Sequence, residues 1–248
     1  MVMRKLSALI TLSTLCATVF LWTGCRDNPA GSSGDDGTVT MQAEMTGNTV
    51  YSATTKGSVP LSGGSIVDSI HVRRIRILIS DLKLHRDRED TVTGDRVVKT
   101  GPIVIQVDSS GAKTFAIAPI PPGTYDRVKF EFHRLTPPEI ALVQNDTLFA
   151  DFTSSDHSSM VMDVVLYING MAVPYTYRTD IAGNIQYWLD PPVQIGAGSN
   201  TTISLMIDPV LIFRGRGHVS VLDPRDHGNK SDCDDGIKIA IRVRKCSC

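Results

Sequence analysis

The chain has 248 residues, 42% hydrophobic and 21% charged, with 25 basic against 26 acidic residues and a formal net charge of −1. That balance excludes the strongly basic face of a nucleic-acid binder, and the length suffices to bury a sizeable core. Aromatic residues make up only 6%, which argues against a broad carbohydrate platform and leaves Tyr175, Tyr177, Tyr187 and Trp188 as its only candidates.

Arg4 and Lys5 precede an uncharged stretch from Leu6 to Leu21, and Leu21-Trp22-Thr23-Gly24-Cys25 closes it. The run of about 16 residues is short for a membrane-spanning helix, which needs about 20. The segment resembles a bacterial lipoprotein signal ending in a lipobox, with Trp22 where the family has a smaller aliphatic residue. The resemblance implies cleavage after residue 24 and lipidation of Cys25, which anchors the protein to a membrane through its acyl chains. Residues 1–24 are then a signal peptide, and loss of Arg4 and Lys5 takes the net charge to −3. Arg26, where inner-membrane lipoproteins carry Asp, implies the outer membrane, on its periplasmic or surface face.

Residues 25–37 are glycine-, serine- and aspartate-rich and too polar to bury, and read as a flexible tether. Asp35 and Asp36 also resemble a short form of the acidic stretch that sends some lipoproteins to the outer leaflet. Residues 38–248 read as one all-β domain, because period-two alternation is broken at short intervals by turn residues and no useful helical stripe appears.

Val72 to His85 places Ile75, Ile77 and Ile79 on odd positions but Leu82 and Leu84 on even ones, so a β-bulge is expected at Ser80-Asp81. Arg73, Arg74 and Arg76 read as a solvated face. Pro121-Pro122-Gly123 launches a strand with Val128, Phe130 and Phe132 on one side. Leu135 to Ser159 reads as an irregular excursion. Asn169-Gly170, between Met160–Ile168 and Met171–Tyr177, is a strong hairpin signal. Ile185, Tyr187 and Leu189 mark a further strand, as do Thr201, Ile203, Leu205 and Ile207, and a last strand is expected over Ile237 to Val243. The sum is an antiparallel Greek-key β-sandwich of about ten to twelve strands.

Ile79-Ser80-Asp81-Leu82-Lys83-Leu84 and Ile120 to Phe130 resemble motifs of uncharacterised secreted lipoproteins with a prealbumin-like β-sandwich. The same motifs are similar to those of a periplasmic copper-binding lipoprotein family, whose tryptophan-rich stretch has its only echo here in Tyr187-Trp188. The first family has no settled activity, and the second implies copper; the chain as a whole reads as an envelope protein that binds or scaffolds another component.

Three cysteines besides Cys25 survive maturation, an odd number. Cys233 and Cys246 flank the expected last strand, about 20 Å long at 3.3 Å per residue, too far for a disulfide. Cys246-Ser247-Cys248 reads as a free dithiol, a strained disulfide or a soft-metal site. Met160 and Met162 share a strand face and could add thioethers for copper; methionine there also serves as core filler. Asp223, Asp226, Asp232, Asp234 and Asp235 could supply oxygens to calcium, although they fit no EF-hand frame and are ordinary turn residues. The six histidines show no ligand spacing.

No Gly-x-Ser-x-Gly elbow, His-Glu-x-x-His helix or phosphate loop is present, so the expectation is a non-enzyme with no resident cofactor. The partners expected are the membrane through Cys25 and an envelope protein or polysaccharide; a periplasmic copper-binding lipoprotein and an envelope hydrolase are the alternative readings.

Overall fold

A computed structural model describes residues 35–52, 67–86, 94–214 and 221–246, all within one compact unit, Ser32–Cys248. The signal segment, Cys25 and Cys248 lie outside the described residues.

The elements run in chain order as strands β1 (Gly37–Met45), β2 (Thr49–Tyr51), β3 (Val67–Arg86), β4 (Asp95–Lys99), β5 (Ile103–Asp108), β6 (Lys113–Ile120) and β7 (Gly123–Phe132). Helix α1 (Pro137–Val143) and a 3-10 turn (Thr147–Phe149) occupy the excursion. Then come β8 (Met160–Ile168), β9 (Met171–Thr179), β10 (Gly183–Ile195), β11 (Asn200–Ile207), α2 (Pro209–Arg214), α3 (Lys230–Ala240) and β12 (Ile241–Cys246). The architecture is an all-β sandwich of two sheets, with twelve strands among the described residues.

The smaller sheet has the order β12-β11-β1-β6. Its inner face places Val39, Met41 and Ala43 beside Ile203, Leu205 and Ile207, all buried, as alternation requires. The β1–β11 pair is parallel, whereas β1–β6 and β11–β12 are antiparallel. The sheet is therefore mixed rather than purely antiparallel.

The larger sheet is organised on β3, whose twenty residues pair with β8 and β7 on one side and with β2, β5 and β4 on the other. The expected bulge is present: Asp81 has φ 53°, and the register with β7 shifts between Ser80 and Lys83. Two further shifts against β8, between Val67 and Ser69 and between Val72 and Arg74, do the same earlier in the strand. The inward set thus passes from Val67 to Ile70 and Val72, then to Ile75, Ile77 and Ile79, then to Leu82 and Leu84, all buried. Each extra residue reverses the phase, and the strand bends while keeping one face on the core.

Asn169 (φ 50°) and Gly170 (φ 77°) form the two-residue turn that joins β8 to β9, both in the left-handed region a type I′ hairpin requires. In β7, Val128, Phe130 and Phe132 face inward, with Phe132 edge-on to Phe130 at 5.8 Å. Tyr125 is fully buried and donates its hydroxyl to the Pro121 carbonyl at 2.7 Å.

Three expectations are corrected. The excursion is not irregular throughout: α1 follows Thr136, whose backbone N–H donates to the Glu139 carboxylate at 2.8 Å, and the segment buries Leu135, Phe149 and Phe152 on Leu78, Val104 and Val161 of the sheet's outer side. The last strand begins at Ile241, not Ile237. Cys233, Gly236, Ile237 and Ala240 recur at helical spacing and are the buried face of α3, and that stripe wins over the alternation of Ile237, Ile239 and Ile241. Arg76 is not solvated: it is 6% exposed and joined to Asp151 and Asp163.

Helix α3 packs directly on α2 at Gly236. A Cβ there would lie 2.6 Å from the Leu211 carbonyl oxygen and 2.7 Å from that of Ile212. Helix propensity alone would have Gly→Ala stabilise by about 1 kcal/mol. The backbone clash reverses the sign, and Gly236→Ala is expected to lose about 1–3 kcal/mol, read as a lower midpoint in urea denaturation. An equal or higher midpoint would refute the close approach.

Candidate functional site

Among the described residues, those expected to bind metal do not come together; Cys248 lies outside them. Met160 and Met162 are fully buried on the inner face of β8 and fill the core. Cys246 lies on the other sheet, opposite Thr202 in the β11–β12 register. Its sulfur is 2.9 Å from Ser204 Oγ and accepts from Gln42 Nε2 at 3.3 Å. Cys233 is fully buried on α3, and neither Cys233 nor Cys246 is in a disulfide. Burial, reinforced by the neighbouring aspartates 234, 232 and 223, pushes the Cys233 thiol up to about 12, so this cysteine is an inert part of the core.

The five aspartates also disperse. Asp223 accepts from Arg225 Nε at 2.9 Å, and Asp226 accepts from the Gly228 N–H at 2.8 Å in a turn. Asp235 pairs with Lys238 at 2.8 Å along the surface of α3. Asp234 turns inward, accepting from Thr179 Oγ1 at 2.6 Å, Tyr177 Oη at 3.1 Å and Lys230 Nζ at 3.1 Å. Asp232 is exposed in the first turn of α3. Among the described residues no group of three or more His, Cys, Asp or Glu side chains is placed to hold a metal ion. These carboxylates cap turns and pin α3 to β9.

That pinning accounts for most of the aromatic candidates. Tyr177 packs edge-on against Phe213 at 6.1 Å, and burial beside Asp234 raises its hydroxyl pKa. Tyr175 donates to the Pro224 carbonyl at 3.3 Å. Tyr187 donates to the Lys238 carbonyl at 3.1 Å and lies on Phe130. Lys230, bonded to Asp180 at 2.9 Å, has its pKa raised by that bond.

Trp188 is different. It is 63% exposed on the outer face of β10, with the Arg127 guanidinium over its ring at 4.7 Å. Register places Asp95, His85, Arg127 and Trp188 in one row across β4, β3, β7 and β10, and Val97, Lys83, Lys129 and Gln186 in the next. Arg127 is held from its other sides by Asp126 at 3.2 Å and Gln186 at 3.3 Å. Asp95 accepts from Lys129 at 2.9 Å and lies 2.6 Å from His85 Nδ1. Burial alone would raise the Asp95 pKa, but the bonds from Lys129 and His85 outweigh it and hold the carboxyl below its ordinary value. The result is an open sheet face with one exposed indole, fixed by a cation–π stack and bordered by Lys129, held by Asp95, and by Lys83, 3.8 Å from Asp81.

No protein-family model matches this sequence, and no curated protein matches it. Among solved structures, the fold is similar to MbnP from Methylosinus trichosporium, at 10% identity and a TM-score of 0.44, over 85% of this chain and 98% of that one.

The face carrying Trp188 was only half legible. Arg127 and Lys129 alternate visibly with the inward aromatics of β7, but their neighbours lie far off in sequence, and only the register across β3, β7 and β10 assembles them.

Proposed function

We propose that this chain is a lipid-anchored protein of the bacterial cell envelope, a tethered β-sandwich that binds or scaffolds another envelope component without catalysing a reaction. The observation that carries the binding role is the exposed Trp188, stacked on Arg127 on an open sheet face. The anchor is supported by the segment Leu21 to Cys25 and the polar run after it. Cys25→Ala is expected to shift the protein from the detergent phase to the aqueous phase in phase partition of whole cells, because the acyl chains are what hold it. Unchanged partition would reject the anchor.

A second reading, a soft-metal role, is favoured by one observation: Cys246 keeps an unbridged, half-exposed thiol two residues from Cys248. Cysteine thiolates select Cu(I). Under this reading Cu(I) titration of the reduced protein gives a stoichiometric site that Cys246→Ser with Cys248→Ser abolishes; an identical isotherm for the double variant would end it.

A further inference from the structure

The face around Trp188 has a place relative to the anchor. Gly37, where the described chain begins its first strand, sits against the far end of β10: a Cβ on it would meet Ile195 Cγ2 at 2.5 Å and the Gly196 carbonyl at 2.7 Å. Trp188 lies seven positions before Ile195 on the same strand, a separation of at most about 23 Å at 3.3 Å per residue. The twelve positions from Cys25 to Gly37 can span up to about 43 Å. A lipid on Cys25 therefore leaves the outer face of β3, β7 and β10 within reach of the bilayer.

The chemistry of that face suits a headgroup layer. Indole rings concentrate at the membrane–water interface because they offer an apolar plate with a polar edge. Arg127 covers one side of the Trp188 ring and leaves the other to solvent. Lys83 and Lys129, opposite each other in the β3–β7 register, stand in the next row, Lys129 bonded to Asp95 at 2.9 Å and Lys83 3.8 Å from Asp81; long cationic side chains lay their stems on apolar surface, and an ammonium with three hydrogens can also donate to lipid phosphates. Val97, exposed beside Lys83 in the same row, adds apolar surface.

We infer that the Trp188 face lies on the headgroup surface of the same membrane that holds Cys25, so that the domain rests flat on the bilayer instead of standing off on its tether. This rests on the lipoprotein reading and names the membrane surface as the partner of the face.

The two claims separate in one experiment. The chain contains two tryptophans, and Trp22 precedes the cleavage site, so Trp188 is the sole indole of the mature protein. The lipidated protein is reconstituted into phosphatidylethanolamine–phosphatidylglycerol vesicles, with or without phosphatidylcholine brominated near the headgroup end of its acyl chains. Expected is co-flotation, a blue-shifted Trp188 emission, its loss in brominated vesicles, and protection from aqueous acrylamide. Co-flotation with emission indifferent to bromination and open to acrylamide would overturn the membrane-lying face, leave the anchor standing, and free the face for a protein or glycan. Failure to float would overturn both.

Discussion

Asp81→Pro is expected to abolish the cooperative melting transition of the domain. Asp81 holds φ 53° in the middle of β3, where the register with β7 steps by one between Ser80 and Lys83. Proline fixes φ near −65° and removes a backbone donor, so the chain cannot make the step there. Without the step, Leu82 and Leu84 turn to solvent and Lys83 and His85 turn to the core. Two buried leucines are worth about 1.5–3 kcal/mol each, against a total stability of about 5–15 kcal/mol for a typical domain. Asp81→Gly keeps the left-handed conformation without strain and serves as the control, with a melting temperature at or above that of the parent. Asp81→Ala is expected to lose about 1–2 kcal/mol for a left-handed residue that is neither Gly nor Asn/Asp. Normal melting by the proline variant would overturn the account of β3.

Arg76→Leu is expected to be the next most damaging. Its guanidinium joins Asp151 of the excursion to Asp163 of β8, the latter at 3.0 Å. Burial lowers its pKa although both carboxylates favour the charged form. Removing one member of a buried ion pair costs about 3–5 kcal/mol, because the partner is left uncompensated. Arg74, at 2.7 Å from Asp163, and Arg178, at 3.4 Å from Asp151, soften the loss, so the expected cost is at the lower end of that range. Arg76→Leu combined with Asp151→Asn should recover part of it in urea denaturation, since the double variant no longer strands a carboxylate. A double variant no more stable than Arg76→Leu alone would refute the proposed coupling.

The strands most legible in the sequence are those whose signal is local. Asn169-Gly170 sits at its hairpin, the alternation of Val128, Phe130 and Phe132 needs only β7 itself, and the phase slip at Ser80-Asp81 lies within one apolar run. The earlier slips in β3 were hidden because each segment between them is too short to establish a period. Helix α3 was misread because Ile237, Ile239 and Ile241 alternate across its end, although Cys233, Gly236, Ile237 and Ala240 carry the helical spacing. Thr136-Pro137-Pro138-Glu139 is a readable helix start, with Glu three places after Thr and proline in the first turn; its short length concealed it.

The candidate site was legible by residue type and not by place. Met160 and Met162 face the core by the same alternation that put them on one strand face. The aspartates from 223 to 235 look like a cluster in sequence, but turn and helix geometry sends each to a separate partner. Burial of Arg76 depends on acids 75 and 87 positions away, which no local pattern reveals.

The parallel pairing of β1 with β11 bears on how such a chain is made. Gln42 meets Ser204 across 162 positions of sequence, and no stretch of polypeptide ending before Asn200 can complete the centre of the smaller sheet. Until then β1 has β6 alone as a neighbour. A nascent chain is thereby kept from its finished form until most of its length has been synthesised, and the wait for so distant a partner makes the closing of this sheet a slow step.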